Sequence, residues 1–423
     1  MEATNRRFDR GARSDLLLRA DGEDVVMTTS RSAAQGLRLC VLVLLALMAA
    51  GCGSLGDWSK LPPPNQAAAF VQPTDPRIDT KDDAKLDALD AALTRRLAAT
   101  GQSFSMLALS GGGANGAYGA GVLVGWTKAG GRPSFDLVTG VSTGALAAPF
   151  AFLGSEWDSR LEAAYLDGGA QALLHWRPWA VLVKPSVFDG TALRAIVNRN
   201  VTPELLAAIA AEHALGRRLL VVTTNLGTQE PVIWDMGALA SQGDEAALTL
   251  FRDVLVASAS IPGVFPPVVT PRLRADGVMI NEMHVDGGVT APFLVFPERL
   301  MDHDVDGDAS AQGDIYLLIN GQPQPRQHPV GGTFGSIMAS TYDAWSKAST
   351  RAHIKANKAY ADRFGLSLHI ASIPLDEESS SLDFRPSTMQ RLFQRGYADA
   401  VAAKAWGPSL GDAPAPAGEI SAQ

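Results

Sequence analysis

Residues 140–144 read Gly-Val-Ser-Thr-Gly, the pattern G-x-S-x-G, and they follow an apolar run and precede a helix-compatible stretch at 145–153. This strand, turn and helix context is typical of a nucleophile elbow. Gly140 and Gly144 lack the Cβ atoms that would collide in a sharp turn, so Ser142 can be held at the end of a strand. The start of the following helix offers backbone N–H groups to a developing oxyanion. The stretch therefore predicts a serine nucleophile on an α/β scaffold.

A second glycine cluster stands upstream, where residues 111–116 read Gly-Gly-Gly-Ala-Asn-Gly after an apolar run at 104–109. The same residues match G-x-G-x-x-G, the dinucleotide-binding fingerprint, which also needs an acidic residue at the far end of the next strand. The candidate, Asp136, lies at the beginning of that strand, so nucleotide binding is the weaker alternative. We interpret the cluster as an oxyanion-binding loop, in which each N–H donor can contribute about 3 kcal/mol in the transition state. The glycines assigned to it are Gly111, Gly112, Gly113 and Gly116.

A third motif, Val285-Asp286-Gly287-Gly288, follows a β-compatible stretch at 278–284. A serine hydroxyl needs a base, and Asp286 can act as one if burial raises its pKa above the ~3.9 of an exposed aspartate. Gly287 and Gly288 would let the main chain pass close to the nucleophile. Taken alone, the same residues also fit an ordinary Asp-Gly turn.

In this order the three motifs resemble those of the patatin-like phospholipase family, and residues 257–267 resemble the segment of small residues and prolines that precedes the family's aspartate. The resemblance covers about residues 103–300. It implies a three-layer α/β/α patatin-like fold with a mainly parallel central sheet. It also implies that Ser142 is the nucleophile and Asp286 the proton acceptor of a Ser–Asp dyad, with the oxyanion hole in the glycine cluster. No metal or organic cofactor is then expected.

The resemblance further implies that the substrates are phospholipids or other acyl lipids, cleaved in a phospholipase A or lysophospholipase type of reaction. One position departs from the family pattern. Many members carry Arg or Lys where this chain has Asn115, which leaves open whether a charged group assists the oxyanion or a substrate phosphate.

Three alternative functions remain open from the sequence. In a conventional Ser-His-Asp esterase the histidine follows the other two residues, so His328, His353 or His369 could each be the base for the serine. His284 is also of interest, because residues two apart on a strand share a face and it would lie near Asp286. The other two alternatives are a nucleotide-dependent oxidoreductase and a non-catalytic envelope lipoprotein that keeps the fold.

The N-terminal region predicts secretion and lipid attachment. Residues 39–50 form a twelve-residue apolar run, shorter than the ~20 residues that span a bilayer, and Gly51 and Cys52 follow it. Small residues before a cysteine resemble the lipobox of bacterial lipoproteins, in which the cysteine is acylated and becomes the mature N-terminus. The first 26 residues carry acidic side chains, unlike a basic signal n-region, so translation is expected to start at Met27. They include Asp9, Asp15, Asp21, Glu23 and Asp24.

Composition and charge limit the partners. The two cysteines are Cys40, inside the apolar run, and Cys52, so no disulfide and no Cys-rich metal site is expected after cleavage. A net charge of −8 at pH 7 favours neither nucleic acid nor attraction to anionic headgroups. Membrane association would therefore depend on the lipid at Cys52. We expect a lipid-anchored protein of the bacterial cell envelope, on the outer membrane and facing the periplasm.

Strands and helices alternate along the body, which predicts an α/β layered fold with a mainly parallel sheet. Residues 173–188 fit core packing better than an interfacial lid. Residues 302–313 begin like a calcium loop but end in Gly313 rather than the required glutamate, so an acidic turn is favoured. The predicted segments are a signal region (1–51), a lipidated N-terminus with a Pro-rich tether and first helix (52–100), a catalytic domain (101–300), a part that completes the catalytic body (301–407) and a disordered tail (408–423).

Overall fold

The computed structural model describes most of the chain that follows the predicted tether. The described ranges are 75–79, 82–174, 186, 190–273, 277–295, 313–327 and 329–407. The predictions that lie outside them concern the signal region, Cys52, the tether up to residue 74, most of the segment 173–188, the calcium-like turn, His328 and the C-terminal tail. No helix within the described ranges is long and apolar enough to cross a membrane.

Nine strands of the described chain form one sheet. They are β1 (Arg77–Asp79), β2 (Phe104–Leu109), β3 (Leu137–Val141), β4 (Arg218–Asn225), β5 (Glu230–Asp235), β6 (Val268–Leu273), β7 (Met279–Asp286), β8 (Gly313–Ile319) and β9 (Ser367–Ser372). The five central strands are parallel and lie in the order β4-β3-β2-β8-β9. Strands β1, β5, β6 and β7 are joined through antiparallel pairs. The prediction of a parallel central sheet is confirmed.

Helices connect most of these strands, and local sequence explains several of their ends. They are α1 (Asp83–Thr100), α2 (Gly116–Lys128), α3 (Thr143–Leu153), α4 (Asp158–Leu166), α5 (Thr191–Asn200), α6 (Pro203–Ala214), α7 (Met236–Ala240), α8 (Glu245–Ser258), α9 (Phe334–Phe364) and α10 (Pro386–Val401). Helix α6 begins with Pro203 in its first turn, and the Thr202 side chain accepts the N–H of Leu205. Helix α9 ends at Gly365, whose φ of 69° suits glycine.

Two apolar clusters cover the two faces of the sheet. Alternate residues of a strand point to opposite faces, and β2 follows this rule. Leu107 and Leu109 belong to the cluster that also contains side chains of α2 to α8 and α10. Met106 and Ala108 belong to the other cluster, which contains side chains of α1 and α9. The predicted three-layer α/β/α arrangement is therefore confirmed.

The length of β4 positions the site. Strand β3 pairs with β4 only as far as Val141, which lies opposite Val222. Beyond that point β7 takes the place next to β4, with Asp286 opposite Thr223. Because β7 runs antiparallel to β4, its last residue arrives where β3 ends. This arrangement brings Asp286 next to Ser142.

The C-terminal part of the described chain joins the same sheet and core. Strand β8 pairs with β2, and β9 pairs with β8. Helix α10 packs so closely on α2 that a Cβ added at Gly121 would lie 2.0 Å from the carbonyl oxygen of Phe393. Residues 313–407 thus supply two strands and two outer helices, α9 and α10, to the layers that hold Ser142.

Candidate active site

Ser142 occupies the turn between β3 and α3. Its backbone angles, φ of 57° and ψ of −126°, lie in a region that residues other than glycine rarely adopt. A Cβ added at Gly140 would lie 2.7 Å from the Cα of Ala145, and one at Gly144 would lie 2.4 Å from the carbonyl oxygen of Leu109. Both positions therefore require glycine, which is the physical reason for the G-x-S-x-G pattern.

A second serine supports the turn. The N–H of Ser142 donates to the Oγ of Ser258 over 3.0 Å, and the Oγ of Ser258 donates to the carbonyl oxygen of Val222 over 2.7 Å. The end of α8 is thereby tied to both β3 and β4. Sequence analysis placed Ser258 only in a segment that resembles the family, and gave it no role.

Asp286 faces the nucleophile directly. The Oγ of Ser142 donates to Oδ2 of Asp286 over 2.5 Å, and the N–H of Gly288 donates to Oδ1 over 2.7 Å. The backbone of Asp286 is also held, because its N–H donates to the carbonyl oxygen of Ser260 and its carbonyl accepts from the hydroxyl of Thr224. Both carboxylate oxygens are therefore fixed, one of them against the serine hydroxyl.

The surroundings of Asp286 favour its protonated form. The residue is only 2% exposed, and burial raises the pKa of its carboxyl from 3.8 to about 7, against the lowering effect of the hydrogen bonds from Ser142 and Gly288. No cation of the described chain counteracts this burial. A carboxylate with a pKa near neutrality is a far better base for an alcohol than an exposed aspartate.

The glycine cluster touches the nucleophile from the other side. A Cβ added at Gly111 would lie 3.2 Å from the Cβ of Ser142 and 3.8 Å from its Oγ. A Cβ at Gly112 would lie 2.0 Å from the carbonyl oxygen of Asn320, and Gly113 has a φ of 56°. The backbone of this loop therefore approaches the serine only because it carries no side chains at these positions.

The four glycines differ in what their N–H groups do. Gly111 donates to the carbonyl oxygen of Pro292, and Gly116 donates within the first turn that leads into α2. No hydrogen bond within the described ranges uses the N–H groups of Gly112 and Gly113. These two N–H groups, with those at the start of α3, are the ones available to an oxyanion.

Two further residues missed by sequence analysis border the site. The backbone N–H of Asn320, just after β8, donates to the Oγ of Ser110 over 2.8 Å, and its side-chain amide donates to the carbonyl oxygen of Ser110. This pair anchors the start of the glycine loop. Tyr342 of α9 is 41% exposed, yet partial burial, together with the charge of Asp286, raises the pKa of its phenol. No local pattern marks either residue, because both contacts join distant parts of the chain.

The described histidines are engaged elsewhere. Nδ1 of His284 lies 2.9 Å from the Oγ1 of Thr223, and Nε2 of His369 lies 2.8 Å from Oδ1 of Asp314. His353 contacts the backbone of its own helix. Within the described ranges no hydrogen bond joins a histidine to Ser142, and the geometry gives the serine a carboxylate partner instead.

Asp136, the residue on which a nucleotide site would depend, stands at the opposite end of β3 from Ser142. Its Oδ1 accepts from Nε of Arg96 over 2.5 Å, and its Oδ2 accepts from the N–H of Ser105 over 3.0 Å. Both oxygens are used in contacts that hold the sheet to α1. In the described part of the chain no group of three or more His, Cys, Asp or Glu side chains has the arrangement of a metal site.

Comparison with known proteins agrees with this geometry. The family model described as patatin-like phospholipase matches residues 107–297, which include the glycine loop, the elbow and Asp286. A fold of three α/β/α layers with a serine elbow places the chain in the α/β class of proteins. Within that class, residues 107–297 match the model of the patatin-like phospholipase family, which supports lipid acyl hydrolase activity.

Two solved structures are similar at low sequence identity. VipD from Legionella pneumophila is 13% identical, with 71% of this chain and 67% of that chain covered and a TM-score of 0.33. Human GIVD cytosolic phospholipase A2, in complex with methyl gamma-linolenyl fluorophosphonate, is 11% identical, with 77% and 61% covered and a TM-score of 0.32. A search of curated protein sequences gives no significant match.

Proposed function

We propose that this protein is a serine lipid acyl hydrolase of the phospholipase A or lysophospholipase type, with Ser142 and Asp286 as its catalytic dyad. The observation that carries the proposal is the 2.5 Å hydrogen bond from the Ser142 hydroxyl to a buried carboxylate that has no cation partner among the described residues. Further support comes from the strained turn at Ser142 and from the family match.

The reaction follows from these positions. As Ser142 Oγ attacks the ester carbonyl, its proton passes to Oδ2 of Asp286, and the carbonyl oxygen becomes an oxyanion. The free N–H groups of Gly112 and Gly113 stabilise that charge. Collapse of the intermediate leaves an acyl-serine and expels the alcohol, which takes the proton from Asp286. Asp286 then removes a proton from water, which attacks the acyl carbonyl. Collapse of this second intermediate releases the fatty acid, and Ser142 Oγ takes the proton back from Asp286, which restores both residues. This sequence needs no metal or organic cofactor.

The location of the enzyme is part of the same proposal. We place it on a membrane of the bacterial envelope, held by lipid attached to Cys52. The expected membrane is the outer membrane, with the enzyme on the side that faces the periplasm. Support comes from the apolar run and small residues before Cys52 in the sequence. Acyl chains contribute about 0.8 kcal/mol per buried CH₂ group to membrane attachment, which would keep the enzyme at its substrate.

Labelling with a fluorophosphonate probe tests the dyad. The full chain would be compared with the variants Ser142→Ala and Asp286→Asn. The control is Ser241→Ala, which changes an exposed serine directly after helix α7. We expect the control to label like the wild type and both site variants to lose labelling while their circular dichroism spectra are retained. Labelling that survives in Asp286→Asn would move the base to a histidine, and an unlabelled wild type would contradict serine catalysis.

A further inference from the structure

A cavity opens beside the nucleophile on the sheet face covered by α3, α4 and α5. Gly113 of the glycine loop and Thr143, the residue after the nucleophile, both line it. From there its wall continues along α3 through Leu146 and Phe150. These positions are spaced i, i+3 and i+7 from Thr143, so they lie on one side of the helix. A rise of 1.5 Å per residue places Phe150 about 10 Å along α3 from Thr143.

The polar side chains in the cavity wall are already paired. The hydroxyl of Tyr165 donates to the carbonyl oxygen of Thr143 over 2.9 Å and lies 3.1 Å from its Oγ1. The amide of Asn200 donates to the carbonyl oxygen of Ile196 over 2.9 Å. Aliphatic and aromatic groups supply most of the remaining surface, including Ile196 on α5. Beyond the oxyanion loop at Gly113, the side chains of this wall leave no unpaired polar group for a ligand, which suits a hydrocarbon.

We propose that this cavity holds the acyl chain that becomes attached to Ser142, and that its far end near Phe150 sets the preferred chain length. The inference rests on the proposed function and adds to it the part of the substrate that enters the protein. The chain would begin at the oxyanion loop, run along α3 and lie against α5. The alcohol part of the ester would then leave on the opposite side of the serine.

Ester series of increasing length test the assignment. Ile196→Trp places a large ring in the cavity, and Ala195→Trp adds the same ring at the neighbouring, exposed position of α5 as a matched control. We expect Ile196→Trp to lower the ratio of kcat/KM for p-nitrophenyl dodecanoate to that for p-nitrophenyl acetate by about tenfold, because it displaces several methylene groups. The control ratio should equal that of the wild type.

A second variant tests the far end without adding bulk. Phe150→Leu removes volume there, so the ratio of kcat/KM for the hexadecanoate ester to that for the dodecanoate ester should rise about threefold. Ratios unchanged in both cavity variants, with hydrolysis of the acetate ester retained, would overturn the cavity assignment alone. A wild type that neither hydrolyses the acetate ester nor labels with fluorophosphonate would instead overturn the proposed function.

Discussion

Strand β7 carries two buried carboxylates with opposite properties. Glu282 and Asp286 are four residues apart on the same face and are 7% and 2% exposed. Burial alone would raise the pKa of Glu282, but the hydrogen bond with His284 and the charges of Arg77 and Arg272 lower it to about 2. Burial raises the pKa of Asp286 to about 7, and no cation in the described part of the chain counteracts it.

The difference shows that burial by itself does not decide what a carboxylate does. Glu282 is held as an anion by Nη1 of Arg77 at 2.8 Å and Nη1 of Arg272 at 3.0 Å, and it joins β7 to β1 and β6. Asp286 receives only neutral donors, so its charge remains adjustable near neutral pH. One strand thus supplies a structural ion pair and, at its end, the proposed base.

The largest expected effect separates the two residues by activity. Asp286→Asn removes the base, and we expect kcat/KM for p-nitrophenyl butyrate to fall about 10³-fold or more, within the range found for general bases. Glu282→Gln leaves the dyad in place and should change kcat/KM per folded molecule by less than about fivefold. Circular dichroism and urea denaturation would give the folded fraction. Equal losses in the two variants would mean that Asp286 acts only through structure.

The next effect concerns stability and pH. The pKa of Asp286 is higher in the folded state than the ordinary value of 3.8, so its contribution to stability is fully present below about pH 4 and is lost as pH rises through 7. Asparagine does not titrate. The free energy of unfolding of Asp286→Asn should therefore gain about 4 kcal/mol relative to the wild type between pH 4 and pH 8.

Urea denaturation of the Ser142→Ala and Ser142→Ala/Asp286→Asn proteins at the two pH values would measure this gain without interference from catalysis. Other titrating groups cancel in the difference between the two proteins. If the difference in unfolding free energy between the two proteins is the same at both pH values, Asp286 is ionised at both. That result would contradict the raised pKa that makes Asp286 a suitable base.

The smallest effect is expected from removing the ion pair between Glu282 of β7 and Arg77 of β1. Glu282→Gln removes one of the two carboxylates that pair with the buried guanidinium of Arg77 and leaves Asp75 as the other, and we expect the free energy of unfolding at pH 7 to fall by about 3 kcal/mol. Glu204→Gln breaks the exposed pair with Arg160 and is the matched control, with an expected change below about 0.5 kcal/mol. Similar changes in both, measured by urea denaturation, would show that burial adds nothing to the Glu282 pair.

Sequence analysis reached the site through short motifs, because their geometry is local. A serine between Gly140 and Gly144 can be recognised from five residues, since the turn itself forbids side chains at both glycines. Sequence analysis did not find the supporting contacts, because they join residues far apart in the chain. Ser142 and Ser258 are 116 positions apart, and Ser110 and Asn320 are 210. His284 does share a strand with Asp286, but its ring turns to Thr223 and Glu282.

The sequence by itself determined where a serine elbow, a glycine loop and an aspartate could form, because each depends on residues that are neighbours in the chain. It also determined the alternation of strands and helices that leads to three layers. Only the tertiary structure decided that Asp286 is the partner of Ser142 and that no histidine of the described ranges takes its place. The physical reason is that a pKa depends on burial and on nearby charges, and both are set by strands that come together from distant parts of the chain.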